Sequence, residues 1–221
     1  MSDVLPLFPL RLVLFPGRPL PLHIFEPRYR ALLSDVLAAD RRFGILAIRE
    51  GTEVGGEPAV FEVGTVAEVE EVEQYEDGRA DVTTRGVERF RVVELLHDRP
   101  YLRAKVQPCT EERPENVVAG NGQLDADTAA LRALLGPYLA DLGAPPELLA
   151  HLPHDPAELS WLTAAALHVD VAEQQRLLEL DALGARIAAA QKLLRREWGI
   201  MRHVGANASF NPPGPGGAEL N

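Results

Sequence analysis

Residues 5–29 read LPLFPLRLVLFPGRPLPLHIFEPRY, and this stretch decides the fold. Two extended apolar runs, over 5–14 and 20–25, flank the segment Phe15-Pro16-Gly17-Arg18-Pro19. Proline fixes φ and lacks a backbone donor, so prolines at 6, 9, 16, 19 and 21 exclude a helix interior and leave strands around a rigid turn. Pro27 then suits the first turn of a helix that carries Tyr29, Leu32, Leu33, Val36 and Leu37 at helical spacing. A strand pair feeding one helix predicts a small barrel with that helix plugging one mouth.

Further strands follow from short valine- and phenylalanine-rich runs. Residues 43–48 and 61–72 are extended, and Asp77-Gly78 closes a hairpin because this pair tolerates positive φ. The return strand spans 80–84 and merges into 82–95, where Gly86 predicts a bulge or barrel corner. A last strand covers 101–107. Residues 1–107 are therefore expected to form a β-rich subdomain.

Residues 108–122, rich in Pro, Glu, Asn and Gly without a period, read as a linker, and 123–205 read as an α-helical subdomain. Asp125 is the expected cap of a helix through Leu135, with Gly136-Pro137 marking a break or kink. Pro146 opens a short helix. Asp155-Pro156-Ala157-Glu158 and Asp170 with Glu173 carry N-cap signatures, and the last helix runs over 181–198 with Gly199 ending it. Trp161, Leu177, Leu178, Leu183 and Ile187 read as bundle core, and Trp198 as a dock for the last helix. The tail 206–221 contains Pro212-Pro213-Gly214-Pro215-Gly216-Gly217 and is expected to be disordered.

Composition bounds the function. The 221 residues are 46% hydrophobic and 25% charged, which suits a globular chain, and a net charge of -11 is the wrong sign for phosphate backbones or anionic lipid. Both halves are acidic, -4 over 1–110 and -7 over 111–221. Nucleic acid is disfavoured as a partner. One cysteine, Cys109, cannot form an internal disulfide; no apolar run reaches membrane-spanning length and no leader is evident, so the cytoplasm is the expected compartment.

Catalytic signatures are missing from these residues. Only Lys105 and Lys192 are lysines, neither in a phosphate loop, and none of Ser2, Ser34, Ser160 and Ser209 sits in a nucleophile elbow. His151 and His154 flank a proline turn without a third ligand, so neither a metal nor another cofactor is expected. His23 reads as a core or rim residue. The run Glu68, Glu70, Glu71, Glu73, Glu76 and Asp77 reads as the solvated face and tip of a hairpin, paired in part with Arg85, Arg89 and Arg91.

Three N-terminal runs, Leu5-Pro6-Leu7-Phe8-Pro9-Leu10, Val13-Leu14-Phe15-Pro16-Gly17 and Pro21-Leu22-His23-Ile24-Phe25-Glu26-Pro27-Arg28-Tyr29, occur in order and close together. With Gly86-Val87-Glu88-Arg89-Phe90-Arg91-Val92, Ser160-Trp161, Asp170, Glu173-Gln174-Gln175 and Leu177-Leu178-Glu179, they resemble the Lon protease N-terminal, or substrate-binding, domain family. The resemblance implies an α+β fold, a PUA-like β pseudo-barrel with one helix followed by an α-helical bundle. It also implies a role in recognising protein substrates or partners. This sequence departs from the full-length protease in lacking its ATPase and peptidase modules, so the expectation is a stand-alone, non-enzymatic module that binds unfolded or exposed apolar protein segments or a separate protease. The expected peptide-contacting residues are Phe15, Pro16, Pro19 and Leu20, around a turn that cannot relax into helix. The alternative is a PUA-like small-ligand or RNA-binding module, against which the net acidity stands.

Overall fold

The computed structural model describes residues 3–51, 58–112 and 122–204. These fall into two compact units, one within Met1–Cys109 and one within Thr110–Pro213. The tail 206–221 and most of the 108–122 segment lie outside the described residues.

In the first unit the strands are β1 (Asp3–Leu10), β2 (Pro19–Ile24), β3 (Arg42–Glu50), β4 (Ala59–Val60), β5 (Val63–Gln74), β6 (Ala80–Leu96) and β7 (Arg103–Pro108). The single helix is α1 (Pro27–Leu37). Order β1-β7-β6-β5-β3 closes into a ring because β3 returns to pair β1, in parallel, from Leu7↔Gly44 to Leu10↔Ala47. Strand β1 pairs β7 over residues 3–6 and β3 over 7–10, so neither Pro6 nor Pro9 has to sustain ladders on both sides. Strand β2 lies along the first part of β6, from Pro19↔Arg85 to Ile24↔Ala80.

The two faces of the ring hold different cores. Inside, Leu7, Leu46, Val66, Phe90, Ala104 and Val106 supply side chains from all five closing strands. Phe90 fits because Gly44 and Gly64 lack side chains: a Cβ there would lie 2.6 and 2.9 Å from its Cζ. On the opposite face Phe8, Leu10, Phe43, Ile45, Val69 and Val82 pack with Tyr29, Leu32, Leu33 and Val36 of α1. The Phe8 and Tyr29 rings stack at 3.9 Å. The helix thus covers an outer face of the sheet rather than plugging a mouth of the ring. Alternation forces this, since Leu7 and Leu46 face inward while Phe8 and Ile45 point the other way. Each large apolar side chain buried here contributes about 1.5–3 kcal/mol.

The first extended run ends as a strand at Leu10, and residues 11–18 form a connection held against β6. Gly17 donates its N–H to the Gly86 carbonyl at 2.8 Å, Gly86 donates to the Arg18 carbonyl at 2.9 Å, and Thr65 Oγ1 donates to the Leu14 carbonyl at 2.5 Å. The β5–β6 register shifts beside this point, between Thr65↔Arg89 and Ala67↔Gly86, which is the bulge expected at Gly86. Only glycine fits: a Cβ at 86 would stand 2.5 Å from the Phe15 carbonyl oxygen. At the other end of the hairpin Gly78 has φ 84°, as its turn requires.

The second unit contains α2 (Gly122–Asp141), α3 (Pro146–Ala150), α4 (Pro156–Ala166), α5 (Val171–Glu179) and α6 (Leu183–Val204). Asp155 accepts hydrogen bonds from the N–H groups of Ala157 and Glu158, and Asp170 accepts from Glu173, so both expected caps form. Of the break or kink expected at Gly136-Pro137, the break does not occur, and α2 runs through it. Leu131, Leu135, Tyr138 and Leu139 are buried on both sides of the proline, and that packing outweighs a local cost of about 3 kcal/mol. Asp125 lies in the first turn of α2 rather than capping it. Helix α6 likewise passes Gly199, because side-chain contacts bridge it: Arg202 lies 5.4 Å over the Trp198 ring and His203 Nδ1 is 2.7 Å from the Gly199 carbonyl oxygen. Trp198 does dock the helix, donating Nε1–H to Asp141 at 2.7 Å.

Arg186 lies fully buried in this unit. Its guanidinium stacks 3.6 Å over the Trp161 ring, donates to Ser160 Oγ at 2.9 Å and to the Leu180 carbonyl at 3.0 Å, and pairs with Glu111. Glu112 adds backbone bonds, donating to the Asp181 carbonyl at 2.9 Å and accepting from Leu183 at 3.1 Å. Glu111→Ala would remove an anionic partner of a buried cation, and chemical denaturation should show a loss of about 3–5 kcal/mol. In the first unit Gly86→Ala should cost about 1–3 kcal/mol by the same measurement, because its methyl meets backbone rather than a side chain that can move.

Candidate functional site

Proline spacing fixes the connection between β1 and β2, and the hydrogen bonds at Gly86 fix its position. Of the four residues expected to contact a peptide, Pro19 is exposed, Pro16 is half-buried, and Leu20 is half-buried with its side chain packed against the core beside Leu22. Phe15 is a correction: its side chain is 2% exposed. The bonds from Gly17 and Thr65 draw the chain at 14–17 onto β5 and β6, which turns the Phe15 ring into the unit rather than toward solvent. Arg85 borders the patch, donating Nη1–H to the Gly17 carbonyl at 3.2 Å and pairing with Glu70 at 2.6 Å.

A second cluster forms where β2 ends. The register His23↔Asp81 puts these side chains together, with His23 Nδ1 2.6 Å from Asp81 Oδ1. Tyr75 donates its hydroxyl to Asp81 Oδ2 at 2.6 Å. Hydrogen bonds from Tyr75 and His23 hold the Asp81 carboxyl below its ordinary range, and the bond to Asp81 pushes the Tyr75 phenol up to about 12. His23 is a rim residue, and the exposed Phe25 ring lies 6.0 Å from its ring. Beside this cluster, α1 and the β5–β6 hairpin border a groove of about 440 Å³. Sequence reasoning found neither Arg30 and Arg79 at this groove nor the Tyr75–Asp81–His23 chain. The alternation of β2 and β6 was visible, but their register was not.

Other sequence candidates disperse. The glutamates of β5 are solvated as expected, yet Glu68 pairs with Arg42 of β3 at 2.8 Å rather than with an arginine of β6. His151 Nδ1 contacts the Glu147 carbonyl at 2.6 Å, within one turn of its own chain. Among the described residues no three His, Cys, Asp or Glu side chains come together as metal ligands, and no helix is long and apolar enough to cross a membrane.

A closed β ring covered by one helix, together with a unit of helices, defines a fold of the α+β class. The family model for the ATP-dependent protease La (LON) substrate-binding domain matches residues 4–196, and the chain belongs to that family. It is 32% identical over 206 residues to Lon protease 2 of Myxococcus xanthus and 32% identical over 207 residues to the Lon protease of Anaeromyxobacter dehalogenans. These matches cover 91% and 90% of this chain and 24% of each relative, so the chain spans about a quarter of their length. The N-terminal domain of Mycobacterium avium complex Lon protease shares the fold with a TM-score of 0.69 at 18% identity, over 87% of this chain and 98% of that one. A Lon N-terminal domain protein from Xanthomonas campestris matches with a TM-score of 0.58 at 27% identity, over 84% and 95% of the two chains.

The hairpin-end cluster can be read by titration. NMR titration of the assigned tyrosine rings, which separates Tyr75 from Tyr101, should show Tyr75 ionising near 12 in the parent protein, and Asp81→Asn should bring that ionisation back toward the ordinary 10.0.

Proposed function

We propose that this chain is a non-catalytic, cytoplasmic module that binds unfolded or exposed apolar protein segments, or docks on a proteolytic partner. The match of residues 4–196 to a substrate-binding domain carries this reading. It is supported by a sequence whose 221 residues contain no phosphate loop and no activated serine.

The contact surface in this proposal is Pro16, Pro19 and Leu20, with Phe15 serving as the buried anchor beneath them. Two prolines and the bonds to Gly86 hold the backbone before any partner arrives, so binding orders little of it. Such a surface suits weak, sequence-tolerant capture of apolar segments.

The test separates contact from scaffold. Pro19→Glu, at an exposed position, should lower capture of a reduced, unfolded client protein about fivefold or more while the melting temperature stays nearly unchanged. Phe15→Ala should instead lose about 3–5 kcal/mol of stability. Normal capture by a well-folded Pro19→Glu, Pro16→Glu double variant would overturn the proposed surface. ATP turnover or client cleavage by the purified chain, abolished by a point change within it, would overturn the non-catalytic reading.

A further inference from the structure

The groove between α1 and the β5–β6 hairpin is built from both chemistries that a polypeptide end presents. Its wall is apolar, with Leu33 and Ala80 buried and Leu37 half-buried, and it also carries Arg30, Arg79, Tyr75, Gln74 and Ser34. A volume of about 440 Å³ is small-ligand size, room for a chain end and not for a folded surface.

The two arginines are held in place yet retain donors. Arg30 gives Nη1–H to the Asp77 carbonyl at 3.1 Å, and Arg79 gives Nε–H to the Asp77 carboxylate at 2.7 Å. A guanidinium has five N–H donors, so both keep several that can turn to an anion. Gly78 makes the arrangement possible, since a Cβ there would lie 2.6 Å from Arg30 Nη1. Among the described residues, Arg30 and Arg79 line the groove and no carboxylate does, although Asp77 pairs with Arg79 and Asp81 stands at its edge on Tyr75, on a chain whose net charge is -11. A polyanion would be strongly repelled by the rest of such a chain. A single carboxylate on an otherwise uncharged apolar end is repelled far less.

We propose that this groove binds the free carboxyl terminus of an unfolded polypeptide that ends in an apolar residue. The carboxylate meets Arg30 and Arg79, and the last side chain lies against Leu37 and the aliphatic edge of α1. The inference rests on the reading of the chain as a module for unfolded polypeptides, but it uses a different surface from Pro16, Pro19 and Leu20 and recognises a chain end rather than an internal segment.

The test needs no variant to begin. A short fluorescent peptide of uncharged residues ending in alanyl-leucine, as the free acid and as its C-terminal amide, is titrated into the full chain and followed by anisotropy. The acid should bind about fivefold or more tightly than the amide, and the difference should shrink at about 0.5 M salt. The Arg30→Gln, Arg79→Gln double variant, checked for an unchanged melting temperature, should erase it. Equal affinity of acid and amide, or an acid preference that survives in the folded double variant, would overturn the proposal. Competition by N-acetyl-leucine as strong as that of the peptide would also overturn it, assigning the groove to small carboxylic acids. Capture of the reduced client through Pro19 is scored separately, so either surface can fail while the other stands.

Discussion

The first unit depends on the contact at Gly86. There the connection after β1 crosses β6 at backbone distance, exchanging hydrogen bonds through Gly17 and Arg18 and leaving no room for a side chain. From that crossing the chain emerges at Pro19 already aligned with Arg85, which sets the register of β2 and so brings His23 beside Asp81. The same crossing buries Leu14 and Phe15 and leaves Pro19 exposed and Pro16 half-buried, while Leu20 packs against the core on the face of β2 that carries Leu22 and Ile24. A single glycine on the longest strand thereby organises both the turn surface and the hairpin-end cluster.

The second unit solves its packing differently. Its helices bury leucines as expected of a bundle, but a charged side chain lies among them: Arg186 donates to Ser160, Leu180 and Glu111 and stacks on the Trp161 face. A second buried polar pair, Tyr138 donating to Glu197 at 2.5 Å, ties α2 to α6, while Glu197 also accepts from the His168 backbone at 3.0 Å. Such groups add little net stability compared with an apolar core but penalise wrong arrangements strongly, since any shift leaves a buried charge unpaired. Burial and the bond to Glu197 push the Tyr138 phenol far above its ordinary range, which keeps it a donor throughout physiological pH.

Two surfaces of the first unit offer different chemistry. The turn at 16–20 is apolar and stiff, while the groove at α1 combines a carboxylate-matching rim with an apolar wall.

The sequence by itself determined the element types and the family. Proline positions, period-two alternation, the Asp-Gly turn, the glycine in the longest strand and the caps at Asp155 and Asp170 are local signals, readable because each acts within a few residues. A break at Gly136-Pro137 does not form for the complementary reason: the local cost is about 3 kcal/mol, and the burial of Leu135, Tyr138 and Leu139 against the rest of the unit exceeds it, while at Gly199 the local cost is only about 1 kcal/mol and α6 runs on. Only tertiary structure decided that Phe15 turns inward, that α1 covers the sheet instead of plugging it, that Arg186 is buried, and that Arg30 and Arg79 share a groove. Each of these depends on strand register or on contacts between residues distant in sequence, and a one-residue change of register would send every side chain on a strand to its other face.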